Sequence, residues 1–146
     1  MKIILKLIVV LSTLLVSASF VSCKEKLIEA EQLPATAQTF IKDYFPGSAI
    51  SYVKKEGGVR AGYEVVMQDG TEIEFNGKGE WDNVDCKKVA VPAGLVPAGI
   101  TEYVDKNCPG QIIVKIDKEH FGYEIELGND LDLKFDKNGK FLRVDD

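Results

Sequence analysis

The strongest constraint on this chain is that its second half repeats its first. Leu33-Pro34-Ala35 returns as Val96-Pro97-Ala98, Phe40-Ile41 as Tyr103-Val104, and Phe45-Pro46-Gly47 as Cys108-Pro109-Gly110. Lys55-Glu56 then matches Lys118-Glu119, and Gly62-Tyr63-Glu64 matches Gly122-Tyr123-Glu124. Phe75, Gly79, Val84 and Asp85 match Phe135, Gly139, Val144 and Asp145. The offset is 63 residues up to Glu56 and 60 from Gly62, so the first copy carries three extra residues around Gly57-Gly58-Val59-Arg60. A fixed-period repeat with one gap at a turn signals a single supersecondary unit used twice.

Within each copy the pattern changes period once. Ala37, Phe40, Ile41 and Tyr44, and later Ile100, Tyr103, Val104 and Cys108, fall at helical spacing. Proline opens each stretch and a Pro-Gly pair closes it. Alternation then takes over: β-rich residues 49–56 and 112–119, Tyr63 to Met67 and Tyr123 to Leu127, Thr71 to Phe75 and Leu131 to Phe135, with last strands from Glu80 and Lys140. Gly57-Gly58, Asp69-Gly70, Asn76-Gly77-Lys78-Gly79, Asn129-Asp130 and Asp136-Lys137-Asn138-Gly139 separate them as turns. The expected fold class is α+β: two tandem modules, each one helix followed by a four-stranded antiparallel meander, packed side by side with both helices on one face of the sheet. The expected organisation is a signal peptide over 1–22, a tether over 23–32, repeats over 33–86 and 96–146, and a linker over 87–95. About 50 residues bury too little surface to stand alone comfortably, so the copies should pack together.

The first residues read as an address. Lys2 and Lys6 precede a largely apolar run from Leu7 to Val16, and Ser17, Ala18 and Ser19 follow. This is the order of a secretory signal, and the run is shorter than the roughly 20 apolar residues of a spanning helix. Two endings fit. Val21-Ser22-Cys23 has the form of a loose lipobox with lipidation at Cys23; cleavage after Ala18 would leave Cys23 a lone thiol, a liability in an oxidising compartment. Cys86 and Cys108 then remain, either as a disulfide or as two buried thiols. Without residues 1–22 the chain has 16 basic and 23 acidic side chains, a formal charge of −7. Such a balance argues against nucleic acid and anionic lipid as partners. A membrane contact is expected only through a lipid at Cys23.

The Leu33-Pro34…Phe40-Ile41…Phe45-Pro46-Gly47 helix, the Gly62-Tyr63-Glu64-Val65 strand and the Gly79-Glu80-Trp81 turn give the chain a family likeness. From Leu33 to Asp146 it resembles the PepSY-like, β-lactamase-inhibitor-like exported proteins known mostly from Bacteroides relatives. The resemblance implies tandem modules in which a sheet surface grips a target, as in a β-lactamase inhibitor protein. It also implies a periplasmic or outer-membrane-anchored lipoprotein of a Gram-negative bacterium. No inhibitory residue carries over.

Catalytic chemistry has little to work with, and no cofactor is expected. His120 is the single histidine and sits in the Glu119-His120-Phe121-Gly122 turn. A general base needs a nucleophile in reach, and transition-metal sites want several His or Cys ligands. The Asp136-Lys137-Asn138-Gly139 stretch looks like part of a calcium loop, yet an EF-hand frame would put Lys134 first and Asp145 last. A hairpin turn is the plainer reading. Alternation directs Val53, Tyr63, Val65, Met67, Ile73, Phe75 and Val84 toward the helices. In the second copy Ile116, Tyr123, Ile125, Leu127, Leu133, Phe135, Leu142 and Val144 take that side.

The opposite face then collects Tyr52, Glu64, Val66, Glu72, Glu74 and Trp81, with Lys115, Glu124, Glu126, Asp132, Lys134 and Phe141. Aromatics on an acidic face suit a binding surface, unless a bulge turns Trp81 and Phe141 inward. The expected function is therefore non-enzymatic binding of another exported protein through Tyr52, Glu64, Glu72, Glu74, Trp81, Lys115, Glu124, Asp132 and Phe141. A periplasmic small-ligand or ion-binding module, using the same face or an inter-module groove, is the alternative.

Overall fold

The computed structural model describes residues 25–59 and 61–145. The expected signal segment and the lipidation expected at Cys23 fall outside the described residues. Among the described residues nine strands make one antiparallel sheet: β1 (Lys26–Ile28), β2 (Ile50–Glu56), β3 (Gly62–Met67), β4 (Glu72–Asn76), β5 (Trp81–Asp85), β6 (Ile113–Glu119), β7 (Gly122–Leu127), β8 (Asp132–Asp136) and β9 (Phe141–Asp145). They lie side by side in sequence order. Two ten-residue helices, α1 (Ala35–Tyr44) and α2 (Ala98–Asn107), pack on one side.

This corrects the expectation of two tandem helix-plus-meander modules. β5 continues directly into the pairing of β6, with Asn83 opposite Asp117, Val84 opposite Ile116 and Asp85 opposite Lys115. A separate first module would leave the outer edge of β5 with unpaired backbone groups, which are costly to bury. Pairing with β6 satisfies them and removes the boundary. A single hydrophobic cluster runs from Leu33 and Phe40 to Val104 and Phe135. The stretch expected to be a tether carries β1, paired with β2, and a one-turn 3-10 helix at Ala30–Gln32. The expected linker is also built in: Val91 and Leu95 are buried, and the Val91 N–H donates to the Ile113 carbonyl at 2.8 Å.

One register line shows why the sheet holds together. Ile28, Val53, Val65, Ile73, Val84, Ile116, Ile125, Leu133 and Val144 stand opposite one another in turn across all nine strands. From Val53 to Leu133 every member is buried. Branched aliphatic side chains suit this pleated surface, and burying each contributes roughly 1.5–3 kcal/mol.

The helices cover this line with the side chains their periodicity selects: Ala37, Phe40 and Ile41 from α1, and Ile100 and Val104 from α2. Pro34 and Pro97 cap the starts, where a missing N–H costs nothing. The helices stop at Phe45 and Cys108, whose N–H groups still reach the Ile41 and Val104 carbonyls at 2.8 Å, because a proline follows each. Gly79 lets the β4–β5 turn approach α1: its φ is +82°, and a Cβ there would stand 2.7 Å from the Pro34 Cβ.

Candidate functional site

Two register lines form the sheet face away from the helices. One runs Tyr52, Val66, Glu72, Asp85, Lys115, Glu126, Asp132, Asp145. The other runs Lys54, Glu64, Glu74, Asn83, Asp117, Glu124, Lys134, Arg143. Together they hold nine carboxylates and four cations. Alternation alone puts them there, because every polar residue sits one step out of phase with the buried line. Tyr52, Glu64, Glu72, Glu74, Lys115, Glu124 and Asp132 thus share one surface. Sequence reasoning missed Lys54, Asn83, Asp85, Asp117, Arg143 and Asp145 on it. Lys54 follows from its place two residues after Tyr52 on β2, and Asn83, Asp85 and Asp117 from extending the register through the β5–β6 seam.

Ion pairs account for most of these charges. Lys54 Nζ lies 2.9 Å from Glu64, and Lys115 Nζ 3.0 Å from Asp117. Lys134 Nζ stands 3.3 Å from Glu124 and 2.5 Å from Asp145. Lys87, from the loop after β5, reaches Glu72 at 2.9 Å and Asp85 at 2.7 Å. Glu74, Glu126 and Asp132 have no such partner among the described residues. These three carboxyls are pushed above their ordinary range. Desolvation is the first cause in each, followed by neighbouring charge: Asp117, Glu56 and Glu64 around Glu74, Asp132 and Asp85 around Glu126, Glu124 and Asp145 around Asp132. Lys115 offsets part of the effect on all three. Acidic residues stand directly opposite one another at five places, Glu64 with Glu74, Glu72 with Asp85, Asp117 with Glu124, Glu126 with Asp132 and Asp132 with Asp145, an arrangement that destabilises a sheet. At the Glu56 end the face dips into a shallow cleft of about 690 Å³ bordered by Val59, Glu64, Glu74 and Asp117.

Trp81 and Phe141 do not belong to this surface, which corrects the expected placement. The register slips between Glu74 and Phe75, so that Trp81 comes opposite Phe75, and between Lys134 and Phe135, so that Phe141 comes opposite Phe135. Each slip is a bulge, which re-aims a side chain by inserting one residue. Trp81 lies 6.1 Å from the Phe40 ring of α1, and Phe141 stacks on Tyr103 of α2 at 4.4 Å. Both are partly buried members of the core's edge. The Lys118 ammonium sits 3.7 Å from the Trp81 ring centroid and donates to the Trp81 carbonyl at 3.0 Å. Burial there pulls Lys118 below its ordinary value, against the opposing pull of Asp82 and Glu80. Leu142 and Val144, expected to face the helices under cover, are exposed because β9 is the sheet's edge.

The remaining chemistry-bearing residues have structural employment. Cys86 and Cys108 are both free thiols, and burial pushes Cys86 up to about 11. His120 is an exposed turn residue. The Asp136 carboxylate accepts the Asn138 and Lys140 N–H groups at 2.8 and 2.9 Å, so it closes the β8–β9 turn. Asn76 does the same for Lys78 and Glu80 in the β4–β5 turn. Among the described residues no group of three or more His, Cys, Asp or Glu side chains is placed to hold a metal. No described helix is long and apolar enough to cross a membrane.

A sheet of this order with bulged β5 and β9 can be compared with known proteins. The family described as "Putative beta-lactamase-inhibitor-like, PepSY-like" matches residues 61–143. The chain belongs to the PepSY-like family. Solved structures share this architecture. A "putative calcium-regulated periplasmic protein" of Bacteroides thetaiotaomicron is 37% identical with a TM-score of 0.80, over 84% of this chain and 97% of its own. A periplasmic protein of unknown function from Bacteroides vulgatus is 36% identical with a TM-score of 0.81, over 84% of this chain and 100% of its own. A second B. vulgatus periplasmic protein is 37% identical with a TM-score of 0.80, over 86% and 99%. No curated protein matches the chain. These relatives are described as periplasmic, which supports the same compartment for this PepSY-like chain.

Proposed function

We propose that this PepSY-like protein is a non-enzymatic binding module of the periplasm, held at a membrane through Cys23, that docks a basic surface of another exported protein on its acidic sheet face. The observation carrying the proposal is the trio Glu74, Glu126 and Asp132, which among the described residues have no cation at ion-pair distance and face like charges across the sheet. A fold optimised only for stability would bring a lysine within ion-pair distance of each, as it does for Glu64 and Glu124. Keeping repulsion on an exposed face fits a surface completed by a partner's cations. The inhibitor-like description of the family supports a restraining role toward an exported enzyme.

The test is a Glu74→Gln, Glu126→Gln, Asp132→Asn variant, used as bait in envelope extracts beside the wild type. It should fold at least as stably, because it removes repulsion, and should lose the proteins that wild type retains at low salt and releases at high salt. Equal recovery by both baits would refute the docking surface.

A second reading, calcium binding on the same face, is favoured by the description of the B. thetaiotaomicron relative as calcium-regulated. Millimolar calcium that raises the melting temperature of wild type but not of the triple variant would establish it. No thermal response would leave the protein-docking reading.

A further inference from the structure

The sheet ends in two edges, and the β9 edge is built unlike one meant to stay bare. Val144 occupies the same register position as Val84: one lies opposite Leu133, the other opposite Ile73, and each follows a bulge. Val84 is fully buried because β6 lies alongside, whereas Val144 is 45% exposed and its neighbour Leu142 is 50% exposed. The backbone repeats this contrast. The Cys86 N–H donates toward β6, to the Val114 carbonyl at 2.8 Å. Alternation along the strand therefore aims the Val84 N–H and C=O toward β6 as well. The matching groups of Val144 face outward from β9, where no described strand lies.

We propose that a second copy of this chain pairs with this edge, β9 against β9 across a two-fold axis through Val144. The charges select this register. With Val144 opposite Val144 of the second copy, Arg143 falls opposite Asp145 of the second copy, and the reverse, on the face away from the helices. Shifting the axis to residue 143 sets two arginines opposite each other, and shifting it to 145 sets two aspartates. Odd registers would turn the apolar side of one copy onto the polar side of the other.

The pairing also copies a seam already inside the chain, where Val84 meets Ile116 and Asp85 meets Lys115. Charged residues commonly guard an edge against association, but a guard of one sign repels its own kind. Here base and acid flank the apolar centre at equal spacing, so the edge is complementary to itself, as an isologous contact requires. Arg143 is accessible: its side chain is 65% exposed, and its Nη2 already reaches toward the edge's acid, pairing with Asp145 of its own chain at 3.4 Å. This proposal does not use Glu74, Glu126 or Asp132, so it stands or falls separately from the docking face.

Sedimentation of the processed chain across micromolar to millimolar concentration tests it. Wild type should pass from monomer to dimer. Arg143→Asp places two acid–acid contacts in the register and should weaken the dimer by about tenfold or more. Combining Arg143→Asp with Asp145→Arg restores opposite signs and should recover it, and circular dichroism melts check that each variant folds. The idea is overturned if wild type stays monomeric at millimolar concentration, if Arg143→Asp dimerises like wild type, or if the folded double variant fails to recover association.

Discussion

Removing the Trp81 ring separates a core position from a contact surface in one measurement. Full truncation of a buried Phe or Trp costs roughly 3–5 kcal/mol. Trp81 is partly buried, with its ring 6.1 Å from Phe40 and its backbone opposite Phe75. A little over half the full-burial cost, about 2 kcal/mol, follows for Trp81→Ala from packing. Loss of the Lys118 ammonium at 3.7 Å adds on the order of 0.5–1 kcal/mol. The expected total is about 2.5–3 kcal/mol, read by urea unfolding followed by far-UV circular dichroism. Leu142→Ala is the internal control, because Leu142 is 50% exposed beside the matching bulge and should change stability by no more than about 0.5 kcal/mol. A Trp81→Ala cost within that same small range would refute the inward placement and return the ring to the open face.

Two further expectations concern backbone and charge. Gly122→Ala should cost about 3 kcal/mol or more, seen as a large drop in urea midpoint, since φ there is +153° and a Cβ would stand 2.2 Å from the Phe135 carbonyl oxygen. A near-neutral result would mean the β6–β7 turn is built differently. For Glu74, Glu126 and Asp132, folded pKa values raised above the unfolded ones make ionisation a cost, present above the folded values and absent below the unfolded ones. The stability advantage of the triple neutral variant over wild type should accordingly shrink as pH falls from about 7 into the carboxylate range near 4. A pH-independent gap in paired urea titrations would show that the three carboxyls are not strained.

The sequence alone determined which residues alternate and which recur at helical spacing. Val53, Val65, Ile73, Ile116, Ile125 and Leu133 could be assigned to the helix side, and Glu64, Glu72, Glu74, Glu124 and Asp132 to the other, from period 2 alone. That information is local, carried by the pleat, and it survives any tertiary arrangement that keeps the strands. Proline before each helix and Pro-Gly after it bounded α1 and α2 in the same way.

Three things were decided only in the tertiary structure. Whether β5 ends a module or meets β6 depends on pairing between residues more than 30 positions apart, such as Asn83 and Asp117, and no local pattern records it. The bulges that turn Trp81 and Phe141 under the helices insert one residue against a partner strand, so they exist only relative to β4 and β8. Exposure of Val144 where Val84 is buried follows from position in the sheet, because identical side chains differ when one strand has a neighbour and the other does not. Side-chain period is a property of a strand by itself, whereas register, closure and edge are properties of strands in company.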